Sequence, residues 1–129
     1  MNNRLVSGTL AFLFFLFLVG CSLGEEYVFE GESEHWESYI KVSESSGVKT
    51  EEFVVKYKGE LKELSDIEEI QYSFEASKTS AKNTRTFGGE PPKQKEFSSS
   101  GSSLIGKDET IEVMVKWGEN EETMELNIK

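Results

Sequence analysis

The sequence predicts an all-β domain, an antiparallel immunoglobulin-like sandwich of seven or eight strands. Apolar and polar residues alternate with a period of two in many short segments, which is the pattern of strands with one buried face. Clusters of Gly, Ser, Asn and Pro separate these segments, and no segment of useful length has the period of an amphipathic helix. A mature length near 100 residues suits such a sandwich. A small closed β-barrel is the alternative architecture.

The first three predicted strands each have an apolar face. Residues 43–47 form a turn cluster between the second and third strands, and residues 58–60 end the third strand. Residues 61–64 follow, and we expect them to plug one end of the core. The residues that share the inner faces of the three strands are, in order, Tyr27, Phe29 and Gly31, then Trp36, Ser38, Ile40 and Val42, then Phe53, Val55 and Tyr57.

The second half of the chain repeats the pattern, with weaker signals between its strongest strands. Residues 77–83 are polar and predict a loop, and residues 84–87 predict a short edge strand. The prolines within residues 88–92 cannot donate to a ladder, so this segment predicts a turn. Phe97 marks a weak strand that ends in the serine-rich run 98–103. The clean alternations are Ile70, Tyr72, Phe74 and Ala76, then Ile111, Val113, Val115 and Trp117, and finally Met124, Leu126 and Ile128.

These faces predict one shared core, because a domain of this size sustains only one. Trp36 is the strongest candidate for it, since a large aromatic side chain buries about 150–250 Å². His35 is predicted to lie on the opposite face of the same strand and to tolerate replacement by Ala. The predicted core comprises Trp36, Tyr72, Phe74, Val113, Val115 and Met124 or Leu126.

The first twenty residues differ in composition from the rest. Arg4 gives the start a positive charge, and residues 10–19 are an unbroken apolar run that ends at Gly20. A charged start, an apolar run of about 7–15 residues and a small-residue cleavage site are typical of a secretory signal peptide. The run is too short for a spanning helix, which needs roughly 20 apolar residues. We therefore expect residues 5–19 to form a helix that stands apart from the domain.

The end of this segment, Leu18-Val19-Gly20-Cys21, resembles the lipobox of bacterial lipoproteins. The resemblance implies a diacylglyceryl group on the sulfur of Cys21 and cleavage just before it. Residues 1–20 would then be a cleaved lipoprotein signal peptide, residues 21–26 a lipidated tether and residues 27–129 the β-sandwich domain. Cys21 is the only cysteine, so the sequence predicts neither a disulfide nor a cysteine-bound zinc.

A second resemblance lies just after the tether. Gly31-Glu32-Ser33-Glu34-His35-Trp36 is similar to the Gly-Glu-Ser-x-x-Trp opening of several small uncharacterised Bacillus-type lipoproteins. This likeness implies the fold and the location at the membrane, and it implies no particular activity. Because two acyl chains make release from a bilayer slow, the expected location is the extracytoplasmic face of the cell membrane.

The net charge limits the classes of binding partner that we expect. Removing residues 1–20 leaves 109 of the 129 residues, and the loss of Arg4 changes the net charge from −10 to −11. A surface this acidic repels nucleic acid and anionic lipid headgroups, so we expect neither as a partner. A protein partner is compatible with the composition, and so is a cationic ligand.

Candidate chemistry is sparse. His35 is the only histidine, and no serine lies in a Gly-x-Ser-x-Gly elbow. The acidic row of Glu30, Glu32 and Glu34 and the segment 118–122 lack the spacing of an EF-hand calcium loop, so both predict solvated surface. We therefore predict no catalytic residue, no cofactor and no metal ligand, with Cys21 as the only modified residue.

The expected function is that of a non-enzymatic binding or structural module on the cell surface. The alternative is a hydrolytic or metal-dependent enzyme of the envelope. Geometry discriminates between them: an enzyme would place His35 or Asp66 beside a second ionisable group in a concave pocket, whereas a binding module would show flat faces and prominent loops.

Overall fold

The computed structural model describes residues 24–129. The expected signal peptide, its helix over residues 5–19 and the lipidation site at Cys21 lie outside the described residues. Within residues 24–129, no helix is both long and apolar enough to cross a membrane.

Eight antiparallel strands and one short 3-10 helix form the domain, so the all-β class and the strand number are confirmed. The 3-10 helix covers Leu61–Leu64 and buries Leu64, as expected for a plug at one end of the core. The strands are β1 Glu25–Glu32, β2 Trp36–Ser45, β3 Val48–Tyr57, β4 Glu69–Glu75, β5 Ser80–Thr86, β6 Glu96–Ser102, β7 Ile111–Trp117 and β8 Asn120–Ile128.

The strands form one sheet in the order β5-β4-β7-β8-β1-β2-β3-β6, which folds over on itself. Its two halves are joined at β1 and β8 through a short ladder, in which Phe29 faces Ile128. On the open side, the Tyr72 hydroxyl of β4 donates to the carbonyl oxygen of Ser98 in β6 at 2.9 Å. The sheet is therefore nearly closed, as in the alternative barrel architecture, while its two halves pack face to face as layers.

The core lies between the two halves, and all seven residues of the predicted core belong to it, including both Met124 and Leu126. Trp36 is fully buried and packs edge-on against Tyr57 of β3 and Trp117 of β7, with ring centroids 5.2 and 5.5 Å away. Its indole nitrogen is the only fully enclosed side-chain polar atom without a hydrogen-bond partner among the described residues. Trp36 thus connects the two halves of the sheet through apolar contact alone.

One edge strand differs from the sequence prediction, and the other agrees with it. β5 begins at Ser80 and pairs with β4 along its whole length, although residues 77–83 predicted a loop. β6 includes the serine-rich run up to Ser102. Both strands lie at the edges of the sheet and bury little, so the neighbouring strand sets their pairing and alternation is weak. β1 begins at Glu25, two residues before the expected start of the domain.

We name the two ends of the barrel by the course of the chain. The proximal end is where the described chain begins at Gly24, beside the β2–β3 turn, the β4–β5 turn and the loop 103–110. The distal end carries the β1–β2 turn, the 3-10 helix and the β7–β8 turn.

Candidate functional site

A polar cluster at the distal end joins the β1–β2 turn to β8. Glu122 of β8 accepts hydrogen bonds at one carboxylate oxygen from the Ser33 hydroxyl at 2.6 Å and the His35 backbone N–H at 2.9 Å. Its other oxygen is paired with Nδ1 of the His35 ring. His35 and Glu122 lie 87 residues apart in the chain, so the antiparallel approach of β8 to β1 brings them together.

The pair favours its charged form. The hydrogen bond that the His35 ring donates to the Glu122 carboxylate raises the pKa of His35, and the charges of Glu34 and Glu63 add to the rise. Burial opposes ionisation of Glu122, but the bonds from Ser33 and from the backbone and ring of His35 outweigh it and lower the pKa of Glu122. An imidazolium–carboxylate pair therefore holds the turn against the strand.

Tyr57 lies beside this pair. Its ring is parallel to the His35 ring, with centroids 6.4 Å apart. Burial, together with a hydrogen bond to Glu63, raises the pKa of Tyr57 to about 12. Its hydroxyl therefore stays protonated and donates to Glu63 at 2.8 Å, which ties the 3-10 helix to the same end of the barrel.

The order of the polar groups does not match a hydrolytic triad. In a triad the imidazole lies between the nucleophile and the acid, so that it takes the proton from the hydroxyl. Here Glu122 lies between Ser33 and His35, and the Ser33 hydroxyl donates to the carboxylate. Ser33 is consequently held as a turn residue by this cluster and is not activated by His35.

A cation could be held at the same place. Glu34, His35 and Glu122 each offer a ligand atom, and these atoms lie within 4.8 Å of one another. Imidazole nitrogen and carboxylate oxygen suit zinc and similar divalent ions. Both oxygens of Glu122 already accept hydrogen bonds, so a cation would have to displace the proton shared with the imidazole.

The predicted acidic row is divided by the fold. Glu30 and Glu32 lie exposed on the outer face of β1, whereas Glu34 lies in the turn that follows. The segment 118–122 forms the β7–β8 turn and the start of β8, and of its residues Glu122 joins the histidine cluster.

A second candidate site is a groove of about 490 Å³ on the outer face of the β1-β2-β3-β6 half. Two cross-strand rows build it. One row aligns Glu30, Tyr39 and Val54 on β1, β2 and β3. The other row aligns Glu32, Glu37, Lys56 and Glu96, one from each of the four strands. We call this surface, lined by Glu30, Glu32, Glu37, Tyr39, Val54, Lys56 and Glu96, the outer groove.

The outer groove combines an apolar floor with an acidic rim. Val54 is only 3% exposed although it points to the outer face, and half-buried Tyr39 lies directly opposite it in the ladder. Burial, followed by the charge of Glu52 and a hydrogen bond to it, raises the pKa of Tyr39, so its hydroxyl stays neutral. Four carboxylates and the ammonium group of Lys56 line this floor, and one of the carboxylates, that of Glu32, is paired with Lys58 at 3.1 Å.

Sequence reasoning missed one buried ionisable group, Glu51. It shares the inner face of β3 with Phe53 and is buried near the proximal end. Burial raises the pKa of Glu51, and a hydrogen bond with Ser103 partly offsets the rise. The alternation that places Phe53, Val55 and Tyr57 inside, extended by two residues, would have placed Glu51 there too.

The outer groove was also missed, because it depends on the pairing of four strands. His35 does meet a second ionisable group, Glu122, as the enzyme alternative required. Neither His35 nor Asp66, however, lines the outer groove.

Comparison with models of known families, with curated proteins and with solved structures finds no match to this chain. The chemistry of the two sites is therefore read from their geometry.

Proposed function

We propose that the protein is a lipid-anchored, non-enzymatic binding module on the extracytoplasmic face of the cell membrane, and that the outer groove is its binding surface. The lipobox resemblance at Cys21 supports the anchor. The observation that carries the binding role is the outer groove itself, an open surface with an apolar floor, an acidic rim and no nucleophile beside a base among its lining residues.

The rim selects a cationic partner. Glu30, Glu32, Glu37 and Glu96 are all exposed, and of these Glu32 already forms an ion pair with Lys58 at 3.1 Å. A Lys or Arg side chain of a partner protein would place its charge on the rim and its methylene stem on the floor. Tyr39 adds a ring face for a cation. The favoured ligand is therefore a basic segment of another protein.

A fluorescent oligolysine peptide tests this role directly. Replacing both Glu37→Gln and Glu96→Gln should weaken its binding about twofold to thirtyfold, because each exposed charge pair contributes about 0.2–1 kcal/mol. Tyr39→Ala should weaken binding further through loss of the floor. The measurement is a fluorescence-anisotropy titration at low ionic strength.

The matched control removes the same charge from another surface. Glu119→Gln with Glu121→Gln changes two exposed carboxylates at the β7–β8 turn, away from the outer groove. This pair should leave the affinity within about twofold of the parent, a limit that corresponds to about 0.4 kcal/mol. Equal losses in the two double variants would mean that the net charge, and not the outer groove, attracts the peptide.

The anchor has its own test. Cys21→Ala removes the sulfur that would carry the lipid, so the variant should leave the processed, membrane-bound fraction of cells. Fractionation followed by immunoblotting measures this. A variant that stays in the membrane fraction at the mass of the processed protein would contradict lipid anchoring at Cys21.

A metal-dependent activity is the second candidate, and the cluster of Glu34, His35 and Glu122 is the observation that favours it. Calorimetric titration with zinc at neutral pH tests it. Micromolar binding that disappears in His35→Ala but persists in Glu121→Gln would favour this candidate. Heat signals that are the same in the parent and in His35→Ala would count against it.

A further inference from the structure

The chain enters the domain at the proximal end. Glu25, the first residue of β1, pairs with Glu44 next to the β2–β3 turn. Cys21 precedes Gly24 by three residues, which span at most about 11 Å when fully extended. A lipid on Cys21 would therefore hold this end of the barrel close to the bilayer, whatever path those residues take.

The same end carries exposed apolar side chains. Three large hydrophobic residues are strongly exposed within residues 24–129: Val48 at 61%, Leu104 at 64% and Ile128 at 47%. Val48 begins β3 just after the β2–β3 turn, and Leu104 follows β6. The two most exposed of the three thus lie at the end from which the chain leads to Cys21.

The β3–β6 ladder brings these two residues to the same end. Thr50 pairs with Ser102, and the ladder continues because the Ser103 backbone N–H donates to the Lys49 carbonyl at 3.0 Å. Val48 precedes Lys49 and Leu104 follows Ser103, so the two exposed side chains flank this bond at the proximal end. The Leu104 backbone N–H donates to the Thr79 hydroxyl of the β4–β5 turn at 3.0 Å, just beyond the end of β6. We call Val48 and Leu104 the apolar tip.

Charged groups around the tip are compatible with lipid headgroups. The ammonium groups of Lys49 and Lys107 lie 5.6 and 5.8 Å from the centre of the Tyr27 ring. The nearby carboxylate of Glu25 is paired with Lys107, and that of Glu109 accepts hydrogen bonds from the Gly106 and Ser77 backbone N–H groups. Both carboxylates are thus engaged within the protein, Glu25 by Lys107, which leaves Lys49, next to Val48 in the chain, as the cationic group beside the tip.

We propose that the proximal end rests on the bilayer, with the apolar tip in the headgroup region and Lys49 beside the lipid phosphates. The bilayer is the surface that the apolar tip would meet, because Gly24 lies only three residues after Cys21 and the chain leads to Cys21 from this same end of the domain. The inference rests on the proposed lipid anchor. It places Glu30 of the outer groove five residues along β1 from Glu25, roughly 17 Å further from the bilayer, where a partner can reach it.

Environment-sensitive fluorescence tests the orientation. The lipidated full-length product is purified from cell membranes and reconstituted into vesicles of phosphatidylglycerol and phosphatidylcholine. Leu104→Cys, Val48→Cys and the distal control Glu119→Cys are labelled with the fluorophore NBD. The sulfur of Cys21 is blocked by its lipid, so each variant offers a single reactive thiol. All three positions are exposed, so the substitutions leave the core intact.

Labels at Leu104 and Val48 should emit at shorter wavelength than the label at Glu119. Lipids carrying a nitroxide in the headgroup region should quench them at least threefold more strongly. Vesicle-bound protein with the same emission and quenching at all three positions would overturn the orientation while leaving the anchor in place. Protein that does not float with the vesicles would overturn the anchor itself, and the orientation with it.

Discussion

The two ends of the barrel hold their turns by different chemistry. At the distal end, the ion pair of His35 and Glu122 joins the β1–β2 turn to β8. At the proximal end, the buried Tyr27 hydroxyl donates to the carbonyl oxygen of Ile105 at 2.5 Å, so a neutral hydrogen bond holds the long loop after β6. The proximal end also exposes the apolar tip, whereas the distal end exposes charge.

This difference separates two kinds of sensitivity. A pH change near neutrality acts on the distal end through His35, whose pKa is raised from 6.5. At the proximal end the Tyr27–Ile105 hydrogen bond is neutral, whereas the carboxylates there respond in the acidic range or through burial: the pKa of Glu109 is lowered by its hydrogen bonds and that of Glu51 is raised by burial. Substitutions of comparably buried residues at the two ends can therefore confirm or contradict this difference in pH dependence.

The largest effect is expected at Trp36, the core residue of the distal end. Trp36→Ala should lower the free energy of unfolding by about 3–5 kcal/mol, because it leaves a cavity between the two halves of the sheet. Trp36→Phe should cost less, since the indole N–H has no partner to lose. Denaturant unfolding of the two variants measures this. Equal losses, or a mild loss in Trp36→Ala, would mean that contacts across the core matter less than the fold implies.

A smaller effect is expected at Tyr27, its counterpart near the proximal end. Tyr27→Phe removes the donor to Ile105 and leaves that buried carbonyl without its bond, at a cost of about 1–3 kcal/mol. The loss should be the same at pH 5.5 and pH 8.5, because a neutral pair is involved. A loss of unfolding free energy that differs by half or more between the two pH values would contradict the proposed difference between the two ends.

The smallest effect, and the one that depends on pH, is expected at Glu122. The pKa of His35 is raised from 6.5, so its contribution to stability is complete below pH 6.5 and is lost as pH rises through the folded value. The pKa of Glu122 is lowered from 4.5, so its contribution is complete above pH 4.5 and is lost as pH falls through the folded value. The pair therefore stabilises most between about pH 4.5 and 6.5.

Glu122→Gln should accordingly shift the denaturant midpoint more at pH 5.5 than at pH 8.5. Glu121→Gln, its exposed neighbour, is the control and should show no such dependence. His35→Ala, for which the alternation predicted little change, should lose the same pH-dependent component. A midpoint difference for Glu122→Gln that is identical at the two pH values would refute the ion pair.

The core could be predicted because alternation is a property of each strand alone. Trp36, Tyr72 and Val113 are buried for the reason that the sequence already shows: each belongs to an apolar face with a period of two. The polar edge strands could not be bounded in this way. Ser80 lies in a strand because β4 offers it a partner, and its own residue type gives no sign of it.

The candidate sites depend on contacts between distant strands, so the sequence alone could not place them. The pairing of His35 with Glu122 requires β8 to return beside β1. The outer groove requires a register that puts Tyr39 opposite Val54. The apolar tip likewise needs the β3–β6 ladder to bring Leu104 to the same end as Val48. Each site is a product of register, which alternation leaves open.

The most direct test of a lipid-anchored binding module is the mass of its first peptide. Protein extracted from membranes is digested, and the peptide that contains Cys21 is analysed by mass spectrometry. Lipid anchoring predicts a peptide that begins at Cys21 and carries a diacylglyceryl group on the sulfur. A membrane-extracted peptide in which Gly20 is still joined to Cys21, or in which Cys21 is unmodified, would contradict it.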